Sequence, residues 1–316
     1  MARLSPLRLL VPVVGTMALL AGCGAASGSS ATTTTTTTAE RAPVVRAPDV
    51  IDTPTKIADT PAGAVGYREV GKGSPILLIM GLGGSMDAWR PAFVAALATG
   101  HKVVMFDNAG VGDTAQLASP LTITDMAGQT SALISTLHLG RVAVLGWSMG
   151  GMVAQALAVL HPTQVSKLVL AATQPGTGHA RPIPAAAAAE AASSDPVEVL
   201  SVLFPPGESA AAQAYAAGIV RYPRFYLAPR AVVAAQGVAV EQWIAGKDPA
   251  GLRFAAVRLP LLVADGTLDR LDPSANDHSL ADSVPEAKLV LYPGAAHGFL
   301  FQDMSSFLPA VERFLR

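Results

Sequence analysis

From residue 64 onward, short apolar runs alternate with helical segments. Ala64–Val70 and Pro75–Met80 read as strands on either side of a Gly71-Lys72-Gly73 turn. Uncharged runs of this length, rich in Val, Ile and Leu, suit strands covered on both faces. Asp87–Ala98 reads as a helix with Asp87 placed to favour its N-terminus. Lys102–Asp107 follows as a strand, and Ile123–His138 as an amphipathic helix that Gly140 stops. Val142–Leu145 is again strand-like, Gly151–Leu160 is helical ahead of Pro162, and Lys167–Thr173 is another strand. This order predicts an α/β fold with a mostly parallel central sheet and helices on both faces.

The rhythm breaks between about residues 174 and 258. That segment carries alanine runs (Ala185–Ala189, Ala210–Ala212), and helices are expected near Pro196–Phe204, Glu208–Val220 and Pro229–Ala245. Strands resume at Pro260–Asp265 and Ala287–Tyr292, with a closing helix over Ser305–Leu315. A helical insertion between two strands is expected to form a lid over the carboxyl edge of the sheet, where open α/β sheets bind ligands. The lid aromatics Phe204, Tyr215, Tyr222, Phe225, Tyr226 and Trp243 have two roles open to them. They line an apolar ligand pocket, or they are the core of the lid itself.

The first 60 residues follow another pattern. Arg3 and Arg8 precede an apolar stretch, Leu9–Leu20, that Pro12 interrupts. This is shorter than the about 20 apolar residues a membrane span needs, and it has the layout of a signal peptide. It ends in Leu20-Ala21-Gly22-Cys23, which resembles the lipobox of bacterial lipoproteins. That resemblance implies cleavage before Cys23 and a diacylglycerol on its thiol, hence an exported protein attached to the cell membrane. Cys23 is the single cysteine, so no intrachain disulfide forms. Seven consecutive threonines, Thr32–Thr38, and a Pro-rich stretch to Pro61 offer no apolar period that packs. The expected organisation is a leader over 1–22, a lipidated Cys and tether over 23–60, and one α/β domain of about 260 residues over 61–316.

Charge adds an exclusion. There are 22 Lys and Arg against 23 Asp and Glu, and loss of Arg3 and Arg8 with the leader leaves 20 against 23, a net of −3. Nothing in that balance favours nucleic acid as a partner.

The candidate chemistry starts at Gly146-Trp147-Ser148-Met149-Gly150, between the strand Val142–Leu145 and the helix from Gly151. A serine on a tight strand-to-helix turn is exposed at the carboxyl end of the sheet, and flanking glycines remove the side chains that would clash there. Ser148 is thus the candidate nucleophile, and the Met149 N–H directly after it a candidate oxyanion donor. A serine hydroxyl needs a base, and the base an orienting acid. Of six histidines, His101, His138, His161, His179 and His278 sit at strand starts, helix ends or polar loops; His297 lies in a small-residue loop after the last strand. His297 is the candidate base. Asp265, Asp269 and Asp272 follow the preceding strand. Asp269, in the open loop, is the favoured acid, with Asp272 the alternative. No histidine–carboxylate group has metal-ligand spacing, and no cofactor is expected.

The order Ser, Asp, His and the segments G-W-S-M-G-G-M-V-A-Q-A-L-A, D-N-A-G-V-G-D-T, G-T-L-D and A-A-H-G resemble the α/β-hydrolase superfamily. Within it they are similar to small esterases, enol-lactone hydrolases and cofactor-free haloperoxidases. The resemblance covers residues from about 64 to 316. It implies that the Leu82 N–H, in Met80-Gly81-Leu82-Gly83-Gly84, is the second oxyanion donor. Two positions depart from the family, Met80 where histidine is usual and Ala109 where arginine is common. In the family both brace loops around the site. The expected activity is hydrolysis of small to medium, largely uncharged carboxylic esters through an acyl-enzyme. C–C bond hydrolysis or perhydrolysis on the same triad, and a non-catalytic ligand-binding lipoprotein, are the alternatives.

Overall fold

A computed structural model describes residues 49–193 and 195–316. The proposed leader, Cys23 and the threonine tract lie outside the described residues.

Eight strands form one sheet in the order β1-β2-β4-β3-β5-β6-β7-β8. They are β1 Lys56–Thr60, β2 Gly63–Val70, β3 Ser74–Ile79, β4 His101–Phe106, β5 Val142–Trp147, β6 Val165–Ala171, β7 Leu261–Gly266 and β8 Lys288–Tyr292. β2 runs antiparallel to both β1 and β4, and all pairs from β4 through β8 are parallel. The interior strands are nearly continuous apolar runs because helices cover both faces. Leu77 and Ile79 belong to one core cluster, Ile76 and Leu78 to the other.

One departure is at the start. The sheet begins at Lys56, inside the stretch expected to be tether, because β1 pairs in register with β2 from Lys56↔Tyr67 to Thr60↔Gly63. Its partnership comes from backbone bonds. Ile57 is 49% exposed, so no side-chain pattern announces the strand.

The helices are α1 Pro91–Leu97, α2 Ile123–Thr136, α3 Met149–Leu160, α4 Ala185–Ala191, α5 Pro196–Leu203, α6 Ser209–Ile219, α7 Arg230–Ile244, α8 Ala275–Ser283, α9 Phe299–Gln302 and α10 Met304–Leu315. The helix expected over Asp87–Ala98 is broken into a 3-10 turn, Met86–Ala88, and α1. Pro91 drives Arg90 into an extended conformation (φ −53°, ψ 127°). Asp87 does not serve a helix end; it is buried and ion-paired with Arg68. α8 is an addition: its sequence, ANDHSLADS, has no apolar stripe to reveal it.

Four lid helices, α4 to α7, lie between β6 and β7, as the alanine-rich composition predicts. Two backbone bonds are among those that tie the lid to the body. Gly298 N–H donates to the Leu203 carbonyl at the end of α5 (2.7 Å), and Ala228 N–H to the Gly83 carbonyl (3.1 Å). Four of the six aromatics proved to be core. Phe204, Tyr215, Tyr222 and Trp243 are buried, and the polar atoms of the last three donate to the Ala88, Trp89 and Gln174 carbonyls. Phe225 and Tyr226 are half-buried. No described helix is long and apolar enough to cross a membrane.

Candidate active site

Ser148 sits between β5 and α3 with φ 57° and ψ −125°. A non-glycine residue at positive φ costs about 1–3 kcal/mol and persists only where its surroundings enforce it. Three bonds do so here. Ser148 N–H donates to the Ala171 carbonyl (2.9 Å), and the Ser148 carbonyl accepts from Gly151 N–H (2.8 Å) and the Thr173 hydroxyl (2.7 Å). The flanking glycines answer a close approach. A Cβ on Gly146 would overlap the Gly150 carbonyl, and one on Gly150 the Ile79 carbonyl. Ser148 is half-buried, at the N-terminus of a 12-residue helix whose dipole favours negative charge beside it.

His297 and Asp269 meet. The His297 Nδ1 lies 2.6 Å from Asp269 Oδ2, with the Asp269 side chain fully buried and that of His297 only 5% exposed. The other Asp269 oxygen accepts from the N–H groups of Leu271 (2.6 Å) and Asp272 (2.9 Å), which fixes the carboxylate plane. The loops carrying the pair are joined backbone to backbone, Thr267 N–H to the Tyr292 carbonyl (3.0 Å) and Leu268 N–H to the Ala295 carbonyl (2.8 Å). Trp147 ties them to the serine turn: its Nε1 donates to the His297 carbonyl (3.0 Å), and its ring centroid lies 5.6 Å from the imidazole. No sequence signal marks that role, since the middle residue of G-x-S is free to vary. Asp272, the alternative acid, instead accepts from Asn276 Nδ2 (2.9 Å) and is fully buried.

The loop after β3 passes beside the serine. A Cβ built on Gly81 would lie 3.2 Å from the Ser148 Cβ. Among the described residues neither the Leu82 nor the Met149 N–H has a protein acceptor, which leaves both donors available.

Near Asp269 lies a group of carboxylates whose closeness the sequence did not reveal. Asp265, Asp272 and Asp277 are buried, with carboxylate oxygens within 4.8 Å of one another. Among the described residues they are the group with metal-ligand spacing, and an all-oxygen donor set suits a hard cation. Burial first, and then the charges of neighbouring aspartates, push all three well above the usual carboxylate range, Asp277 to about 8. An acid raised on folding stabilises the fold fully below its unfolded pKa of about 3.9, and that contribution disappears as pH rises through the folded value. The melting temperature of the wild type is therefore expected to fall between pH 5 and 9. Asp277→Asn, neutral throughout, should melt at least about 2 °C above wild type at pH 9 and show a shallower decline. Circular-dichroism melts across this range check it; an equally steep decline in the variant would contradict the assignment.

The turn-borne serine and the Asp–His pair sit on a doubly covered sheet, and the match to known proteins agrees with that geometry. Residues 74–303 match the alpha/beta hydrolase fold family. The chain belongs to the alpha/beta hydrolase family. It is 31% identical over 269 residues to BpoC of Mycobacterium tuberculosis, provisionally named a non-heme bromoperoxidase, an alignment covering 78% of this chain and 96% of that one. It is 30% identical over 252 residues to RutD of Azorhizobium caulinodans, provisionally named a carbamate hydrolase, covering 74% and 88%. An alpha/beta hydrolase fold protein from Chitinophaga pinensis superposes with a TM-score of 0.75 at 24% identity, over 84% of this chain and 98% of that one. The protein is a hydrolase.

Proposed function

We propose that this hydrolase cleaves small to medium, largely uncharged carboxylic esters through an acyl-enzyme on Ser148. The observation that carries the reading is the buried Asp269–His297 hydrogen bond at 2.6 Å. It supports a Nδ1–H tautomer that leaves Nε2 free to accept a proton. In this mechanism Ser148 Oγ attacks the ester carbonyl while His297 Nε2 takes its proton. The Leu82 and Met149 N–H groups receive the oxyanion of the tetrahedral intermediate. The intermediate collapses, and Nε2 returns the proton to the departing alkoxide. Water then attacks the acyl-enzyme, His297 takes its proton and passes it to Ser148 Oγ, and the carboxylic acid leaves.

The lipobox-like Leu20-Ala21-Gly22-Cys23 supports an exported enzyme anchored at Cys23 to a bacterial cell membrane. A diacylglycerol supplies two chains at about 0.8 kcal/mol per buried CH₂, enough for stable attachment. Perhydrolysis is the second reading, favoured by the relative named as a bromoperoxidase. There hydrogen peroxide takes the place of water on the acyl-enzyme and releases a peracid.

Turnover of p-nitrophenyl esters from acetyl to dodecanoyl tests the main reading. Hydrolysis of at least one of them is expected, and its absence in a folded protein that a fluorophosphonate labels would sink the ester assignment. Radiolabelled palmitate should enter the wild type and not Cys23→Ser; equal incorporation would remove the anchor.

A further inference from the structure

We propose that Gln236, on lid helix α7, is the positioning residue of the oxyanion loop, so that the lid is part of the catalytic scaffold. This inference rests on the acyl-transfer reading above. Gln236 is fully buried. Its Oε1 accepts from Gly83 N–H (2.8 Å), 153 positions earlier in the chain, and its Nε2 donates to the Ala109 carbonyl (3.3 Å). Next to Ala109, the Asn108 Nδ2 donates to the Met80 carbonyl (2.8 Å). Leu82 thus lies between two anchored peptides, Met80 held by Asn108 and Gly83 held by Gln236. The two anchors are themselves linked through the Asn108–Ala109 backbone.

The Gly83 carbonyl is held as well, by Ala228 N–H (3.1 Å), and Gly84 bridges Leu227. Gly83 needs this support, since its φ of +72° places the loop in a backbone conformation with few local restraints. A Cβ there would come 3.2 Å from the Val233 side chain of the same helix. The circuit runs through Met80 and Ala109, both of which take part through their carbonyls.

Oxyanion donors act only when preorganised at the developing charge, and a misplacement of about 1 Å costs about 100-fold in rate. Loss of the brace is therefore expected to reduce kcat and leave KM nearly unchanged. In Gln236→Met, similar in length but without either hydrogen bond, kcat per fluorophosphonate-titrated site should fall about 10- to 100-fold with KM within about threefold. Affinity for a boronic acid, which mimics the tetrahedral intermediate, should weaken by the same factor as kcat. Tyr222→Phe removes a different buried lid bond, to the Trp89 carbonyl, and should change kcat less than about twofold.

Gln236→Glu provides a second test. When protonated, the carboxyl accepts from Gly83 and donates to Ala109; when ionised it loses the second bond and sets a negative charge beside the oxyanion loop. The ratio of its kcat to that of wild type is expected to be higher at pH 6 than at pH 8. A folded Gln236→Met with wild-type kcat and boronate affinity would overturn the proposal. So would an equal loss in Tyr222→Phe, which would make the effect one of lid stability. If Gln236→Met does not fold, a folded Gln236→Leu with wild-type kcat and boronate affinity overturns it. A folded wild type that neither labels nor turns over esters defeats the acyl-transfer reading, and this inference with it. Labelling with unaffected variants defeats this inference alone.

Discussion

Ser148→Ala is expected to lose all fluorophosphonate labelling and to drop ester turnover by at least about 10⁴-fold. The residue that labels must carry an activated hydroxyl at an accessible position, and Ser148 combines a strained turn, a helix N-terminus and half-burial. Alanine removes the nucleophile and leaves the turn in place. Alanine is also disfavoured at φ 57°, so the variant should remain close to wild type in stability, as both residues bear that strain. Burst kinetics with p-nitrophenyl esters give a second reading: wild type should show an acyl-enzyme burst equivalent to its titrated sites, and the variant none. Labelling that persists in Ser148→Ala would move the nucleophile elsewhere and dismantle the mechanism.

Asp269→Asn should be nearly as severe, about 10³- to 10⁴-fold in kcat, for a reason the hydrogen bonds specify. Asp269 Oδ1 accepts from two backbone N–H groups, those of Leu271 and Asp272. An asparagine can satisfy both only by turning its oxygen toward them, which places its NH₂ toward His297. The Nδ1 must then accept, Nε2 must carry the proton, and the imidazole can no longer take one from Ser148. The fold should survive, because the variant keeps the backbone bonds and removes a buried charge. The rate deficit should persist at high pH, where a simple loss of basicity would be relieved. Recovery of wild-type kcat at pH 9 would show that Asp269 sets basicity and not the tautomer.

The lid connects these effects to a third element. One of its helices reaches the loop that carries a candidate oxyanion donor. Substitutions in α7 made to alter acyl preference should be read with that in mind. Changes near Val233 or Gln236 press on the Gly83 backbone as well as on any substrate.

How far the chain could be read without coordinates depended on the range of the forces involved. The strands of a doubly covered sheet are written in uninterrupted apolar runs, because each must be buried on both faces. Ser148 was legible because the turn's steric demand is met by its own neighbours, Gly146 and Gly150. His297 was legible as a candidate, and Asp269 with Asp272 as its alternative, because each follows a strand whose carboxyl end presents it toward the same edge. β1 was not, since it is held by ladder bonds to β2 while Ile57 faces solvent. Nor was α8, whose buried faces include Asn276 and Asp277. Only the tertiary structure shows that Asp269, and not Asp272, is the one hydrogen-bonded to His297. Only it gathered Asp265, Asp272 and Asp277 into one buried group, whose charges interact through space and not along the chain. Gln236 belongs with these: nothing local distinguishes it from other lid glutamines. Its role exists because folding brings a helix from the insertion against a turn 153 residues away, where a buried backbone N–H requires an acceptor.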